Sequence, residues 1–181
     1  MELVKNYKQI KLIKKIFITL LATVVLAVSS KISIPFYPVP MTMQTMVVLL
    51  IGINFGWRLG FAIIALYLLE GLIGLPVFSG TPEKGIGLVY FNGPTMGYLL
   101  GFLVTVIFVG KFNYNKSFFI NFIKLTFATS FIYILGMFWL GVLIGWDKPI
   151  YKLGAEPFLL AELFKILLVT IFVTKFKKAK E

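Results

Sequence analysis

The sequence predicts an all-α integral membrane protein, a bundle of six transmembrane helices with N- and C-termini cytoplasmic and a pocket toward the outer face, in one domain spanning residues 1–181. Three observations carry that prediction. Apolar residues make up 59% of the chain and charged ones 14%, and the apolar residues come in long blocks instead of alternating with polar ones. That is the composition of a chain that lives in lipid. A hydrocarbon core takes roughly 20 apolar residues per helical crossing, so the length accommodates about six crossings and leaves none for a soluble domain. The cations gather between the blocks, and the prolines and glycines gather in alternate connections.

The first block, residues 16–29, follows the basic stretch "KQIKLIKKIF" and ends in small residues, the layout of a signal peptide. Five more blocks follow it, so it reads as a first retained helix. The second and third, 41–55 and 59–75, are separated only by "GW" and Arg58, and the second is short for a full span, which packing against neighbours tolerates. The fourth covers 93–109, the fifth 118–145 and the sixth 157–176.

Orientation follows from the Lys and Arg excess of loops kept in the cytoplasm. With the N-terminus inside, the inner side collects the lysines between Lys5 and Lys15, then Arg58, Lys111, Lys116 and those from Lys175 to Lys180. The outer side receives only Lys31, Lys84, Lys148 and Lys152. The net charge of +11 is thus a membrane-edge pattern, and the bilayer, not nucleic acid, is the partner it implies. All eight prolines fall in the outer connections or at their helix junctions, and "IPFYPVP" reads as a rigid loop able to cover a cavity.

Two opposite charges interrupt the sixth block. Glu162 and Lys165 lie about 8 and 12 Å along it at the helical rise, on one face with Phe158 and Val169. A central charge costs roughly 2.5–3.5 kcal/mol on an insertion scale against about 0.3–0.6 gained per large aliphatic residue. The pair therefore faces the bundle interior, either as a self-satisfied ion pair or as a polar anchor for a ligand. Gln44 at the start of the second block, Tyr67 and Glu70 one turn apart in the third, and Trp139 in the fifth are further polar candidates, with interfacial roles as the alternative for Glu70, Tyr67 and Trp139. Lys124 reads as reaching the cytoplasmic surface. In "FSGTPEKG" and "NGPTMGY", Gly80, Gly85 and Gly93 admit close backbone approach, and Thr95 with the amides opening the fourth helix offers an anion site. The chain has no histidine or cysteine, which excludes thiol and histidine chemistry and zinc sites of the usual ligands. It also carries no G-x-x-x-x-G-K-[ST] loop, hence no ATPase of its own.

Four motifs in order, "PFYPVPMTMQTMVVLLIG", "YLLEGLIGLPVFSG", "GPTMGYLLGF" and "PFLLAELFK", resemble the BioY proteins, biotin-binding S components of energy-coupling factor transporters. The resemblance implies a multi-pass protein of the bacterial inner (cytoplasmic) membrane with a biotin pocket closed by the first loop. It implies no enzymatic activity and no cofactor or metal, biotin being the transported ligand, and it implies a transmembrane coupling subunit and two ABC-type ATPases as partners. The family's D-x-x-K reads "ELFK" here, so ligand-binding roles pass to Glu162 and Lys165, with an acid one methylene longer. Its "GPTGGY" reads "GPTMGY", with Met96 in place of a glycine. Gln44, Tyr67, Phe78, Gly80, Thr81, Thr95 and Trp139 complete the candidate ligand set, with amides near Gly80 and Thr81 or Thr95 placed for the ligand carboxylate. The family's A-x-x-x-A docking patch corresponds to Thr23 and Ala27, with Ala22 beside it. A component for another vitamin, and a small intramembrane enzyme using Glu162 and Lys165 as acid and base, are the rival readings.

Overall fold

Lysines and arginines do not end a helix, and the first helix shows it. In the computed structural model, which describes residues 2–176 and their side chains from residue 9 onward, α1 runs Glu2–Lys31, starting well before the predicted residue 16. The side chains of Lys5 and Lys8, and all of Lys177, Lys178 and Lys180, lie outside the described residues. A two-residue strand β1 (Ser33–Ile34) then pairs antiparallel with β2 (Met41–Thr42), Ser33 opposite Thr42 and Ile34 opposite Met41. This pair departs from the all-α prediction. It pinches off the loop holding Pro35, Pro38 and Pro40, which cannot continue a helix, and it moves the start of the next helix from residue 41 to Gln44.

That helix, α2 (Gln44–Leu72), is helical on both sides of Gly56, which has φ 74° and ψ 174°, a conformation open essentially to glycine alone. The chain folds back there. Along a straight helix Gln44 and Tyr67 would stand about 34 Å apart, yet the Gln44 amide donates to the Tyr67 hydroxyl at 2.7 Å. The two legs, residues 44–55 and 57–72, are the second and third predicted helices. α3 (Leu88–Phe91) and α4 (Met96–Lys111) follow, then α5 (Phe118–Ile144), whose first turn is capped by the Ser117 hydroxyl. α6 (Ile150–Gly154), a 3-10 turn (Glu156–Phe158) and α7 (Leu159–Phe176) end the described chain. Pro157 sits in that 3-10 turn, so the last long helix begins two residues later than its predicted start.

Among the described residues four helical segments are long and apolar enough to cross a membrane: Gln9–Lys31, Gln44–Leu72, Phe118–Ile144 and Ile150–Phe176. Met96–Lys111 is apolar but shorter. The distribution of side chains is that of a lipid-facing bundle. Ile13, Phe17, Val24 and Val28 of α1 are more than half exposed, while Thr23, Ser30, Asn121, Thr170, Glu162 and Lys165 are buried. Water would reverse that arrangement; hydrocarbon requires it.

Glycines let the backbones approach. A Cβ at Gly97 would overlap Leu135 and Trp139 of α5, and one at Gly101 would stand 2.5 Å from the Ile132 Cα, so α4 lies directly on α5. At the α2 bend, a Cβ on Gly110 would overlap the backbone of Trp57. Gly110→Ala is therefore expected to destabilise the protein by roughly 1–3 kcal/mol, the usual range for overpacking. The thermal midpoint in detergent should fall clearly below wild type, while Leu21→Ala on the outward face of α1 leaves it nearly unchanged.

Candidate functional site

Every element after α1 and β1 except α6 sends a side chain toward one cavity of about 60 Å³. The proline loop and β2 supply Val39, Pro40, Met41 and Thr42; α2 supplies Gln44 and Thr45; Ser79 comes from the loop after α2 and Tyr90 from α3. α4 contributes Thr95 at its cap with Tyr98, Leu99 and Phe102, α5 contributes Ile132 and Tyr133, and Phe158, Glu162 and Lys165 close the wall. The lining is mostly apolar and aromatic with a few placed polar groups, the constitution of a small-molecule site.

The polar centre is the ion pair. Glu162 is 3% exposed and Lys165 4%. The Lys165 ammonium donates to Glu162 Oε2 at 2.8 Å, to Thr45 Oγ1 at 2.7 Å and to the Thr42 carbonyl at 2.9 Å. Its three N–H bonds are thus all placed. Glu162 Oε2 also accepts from Thr45 Oγ1 and Tyr133 Oη, each at 3.0 Å. Glu162 Oε1 accepts from nothing, and among the described residues it is the one buried side-chain nitrogen or oxygen without a partner. Burying two charges costs several kcal/mol per ion, and only good geometry with further hydrogen bonds offsets it. Here α2, α5, α7 and β2 converge to supply them.

Of the residues predicted from sequence, Glu162, Lys165, Gln44 and Thr95 line the cavity. The others stand behind it. The Tyr67 hydroxyl accepts from Gln44 and donates to the Val77 carbonyl at 2.9 Å. Phe78 is buried between the Tyr67 and Tyr90 rings, with centroids 5.2 and 4.8 Å away. Gly80, with φ 75°, abuts Lys84. Thr81 donates to the Phe78 carbonyl at 2.6 Å and accepts from Lys31. The Trp139 indole donates to the Gly93 carbonyl at 2.9 Å, fixing the turn before α4. Tyr67, Phe78, Gly80, Thr81 and Trp139 do not line this cavity. Lys31, Ser30 and Tyr67 donate into the carbonyls of Val77, Phe78 and Thr81, which draws the loop inward and leaves Ser79 as its cavity-facing residue. Met96 does not reach the wall either.

The small residues of α1 also face inward. Ala22 and Thr23 are buried, Ala27 packs against the core, and the Thr23 hydroxyl donates to Glu70 Oε1 at 2.9 Å. Spacing alone does not tell which neighbour a small-residue patch meets, and at Ala22 and Thr23 that neighbour is this chain's own α2. Glu70 belongs to that contact and not to the cavity. Lys124 reaches the Asn113 carbonyl at 2.6 Å in the loop before α5.

Sequence reasoning passed over Thr45 and Tyr133, which touch the carboxylate, and Ser79, Tyr90 and Tyr98 of the wall. Tyr133 carried the signal that singled out Trp139, a polar group inside an apolar block. Burial holds the Tyr90 phenol above its ordinary pKa, so it is a neutral donor, and it donates to the Ser79 carbonyl at 2.9 Å. Among the described residues no three of His, Cys, Asp and Glu converge to hold a metal ion.

The fold and cavity define a class: a helical membrane protein with a small, largely apolar chamber whose one charged feature is a buried, hydrogen-bonded ion pair. The model of the BioY family matches residues 4–181. The biotin transporter BioY2 of Lactococcus lactis subsp. cremoris is 38% identical over 160 residues, 84% of either chain. The biotin transporter BioY of Thermotoga maritima is 33% identical over 157 residues, 86% of this chain and 91% of that one. A solved structure, the S-component for biotin from an ECF-type ABC transporter, shares the fold with a TM-score of 0.76 over 94% of each chain at 24% identity. The chain belongs to the BioY family, as its four motifs indicated.

Tyr67→Phe separates wall from support. It leaves the Gln44 amide without its partner and the Val77 carbonyl with Ser30 alone, at roughly 1–3 kcal/mol, so the thermal midpoint is expected to fall. A ligand of the cavity should keep most of its affinity in the folded fraction, because the lost hydroxyl does not line the chamber; isothermal titration of the folded protein checks this.

Proposed function

We propose that this protein is the membrane-embedded, high-affinity biotin-binding component of an ECF-type vitamin transporter, and so a transport protein, not an enzyme. The observation that carries the reading is the convergence of Glu162 and Lys165 on one end of a mainly apolar chamber, in a chain whose relatives are biotin transporters. Biotin joins a flat polar urea ring and a carboxylate through an apolar body. Leu99, Phe102, Ile132 and Phe158 suit the apolar body, and Glu162 Oε1 suits a urea N–H. Lys165 serves a ligand oxygen by exchanging its bond to the Thr42 carbonyl. The chamber is tight as it stands, and loading in this reading shifts the proline loop, whose Val39 and Pro40 line it.

In this reading the two legs of α2 and the helices α1, α4, α5 and α7 make six crossings of the bacterial cytoplasmic membrane. Both termini are cytoplasmic and the chamber lies toward the outer face; the cation distribution supports that orientation. Lacking a nucleotide loop, the protein draws energy from a transmembrane coupling subunit and two ABC-type ATPases. Their docking surface lies on α1 outside the inward-facing Ala22 and Thr23.

Titration of the purified protein in detergent with biotin, thiamine and riboflavin, followed by heat or tryptophan fluorescence, tests the reading. Tight binding of biotin alone is expected, and folded protein that ignores biotin overturns it. Glu162→Gln is expected to weaken biotin about 10- to 100-fold in folded protein, the range for a hydrogen bond to a charged group. Lys165→Ala should weaken it at least as much and also lower the thermal midpoint, because it strands a buried carboxylate.

A further inference from the structure

Three donors from three helices meet on one oxygen of Glu162: Thr45 Oγ1 of α2, Tyr133 Oη of α5 and Lys165 Nζ of α7, at 3.0, 3.0 and 2.8 Å from Oε2. The other oxygen, Oε1, is buried and has no partner among the described residues. An orphaned carboxylate oxygen in a low-dielectric interior is costly. It persists where the surroundings hold the carboxylate in one orientation and something else is meant to complete it.

Tyr133 is what resists rotation. Lys165 has two other acceptors, Thr42 O and Thr45 Oγ1, so it can re-pair within the cluster, whereas the single Thr45 hydroxyl proton is committed to Oε2. Among the described residues the Tyr133 hydroxyl has one partner, Oε2. Its ring is held edge-on against Tyr98 at 6.2 Å, and the Tyr98 hydroxyl is fixed on the Gly154 carbonyl at 2.7 Å. Without the Tyr133 donor, a partial turn about the last side-chain bond of Glu162 lets its two oxygens share the Lys165 and Thr45 donors and removes the open acceptor.

We propose that Tyr133, assisted by Thr45, is a selectivity-determining positioning residue: it keeps Glu162 Oε2 occupied so that Oε1 stays open as an acceptor, which admits ligands carrying an N–H donor and disfavours isosteres lacking one. The chamber then discriminates by hydrogen-bond sense as well as by shape. A site with a placed acceptor rejects an analogue that presents a lone pair there, because two acceptors then face each other unpaired. The proposal rests on the biotin reading, in which the donor is a urea N–H.

The test compares biotin with its two cyclic carbamate isosteres, in each of which one ring N–H is replaced by oxygen, by isothermal titration of wild type, Tyr133→Phe and Thr45→Val, with thermal midpoints to confirm folding. Wild type is expected to prefer biotin over one of the carbamates by at least about tenfold. In Tyr133→Phe biotin should weaken about tenfold while that carbamate stays nearly unchanged, so the preference collapses; Thr45→Val should show the same pattern. Equal weakening of both ligands marks a merely structural role and overturns the proposal. So does wild-type protein that binds biotin and both carbamates alike, a comparison that stands even where a variant fails to fold. Folded wild type that binds no biotin overturns the functional reading itself, a result distinct from either of these.

Discussion

The fold is organised around satisfying one buried ammonium and one buried carboxylate. Lys165 needs three acceptors, and it finds them on its own helix, on α2 and on β2. Glu162 Oε2 draws donors from α2, α5 and α7. Each partner lies within hydrogen-bond distance, so the positions of three helices and a hairpin are constrained to within a few tenths of an ångström at this level of the bundle. Apolar packing fills the space on either side, Phe78, Tyr90 and Phe102 on one and Leu49, Val109 and Val169 on the other, but packing between apolar surfaces in lipid is permissive. The polar cluster supplies the register.

Gln44 can meet Tyr67 only because α2 is not a rod. The turn at Gly56 returns the chain beside itself, with Gly52 and Gly60 flanking the close contact and Val106 of α4 lying over both. Gly110 admits the Trp57 backbone at the closed end of this hairpin. Trp57 lies between two cations, the Arg58 guanidinium and the Lys111 ammonium each 5.2 Å from a Trp57 ring centroid, an arrangement suited to a membrane interface. A glycine in a conformation other residues avoid at one end of the hairpin and a buried ion pair near its other end thus belong to one construction.

The parts legible in the sequence are those whose chemistry conflicts with a hydrocarbon environment. Glu162 and Lys165 stand out in an apolar block, so their inward orientation follows from the cost of charge in lipid, whereas Gln44 and Thr95 are legible as polar residues where helices begin. "GWRL" marked the break between the legs of α2. Thr45 and Tyr133 were not legible, because a hydroxyl in a span readily satisfies itself on its own helix, as Thr129 and Thr170 do with carbonyls four residues back. Only the folded chain shows which hydroxyls do otherwise. The two-residue strand pair escaped notice because it is shorter than any periodicity. Tyr67, Phe78, Gly80 and Thr81 stand behind the lining residues, for motif adjacency brings residues near a site without saying which way a loop is drawn.

The tyrosines explain why the chamber is apolar though many polar residues surround it. Tyr67, Tyr90 and Tyr98 each turn their hydroxyl onto a backbone carbonyl, of Val77, Ser79 and Gly154 respectively. The hydroxyls pin the connections after α2 and α6, and two of the three rings, those of Tyr90 and Tyr98, remain for the chamber wall. Gln44 is likewise engaged, its amide on Tyr67 and its carbonyl oxygen near the Thr42 hydroxyl at 3.4 Å. Polarity is thereby withdrawn from the aromatic walls and concentrated on the α7 side, where the carboxylate oxygen stands open. The chamber thus has aromatic walls whose hydroxyls are engaged elsewhere and one polar wall at Glu162 and Lys165.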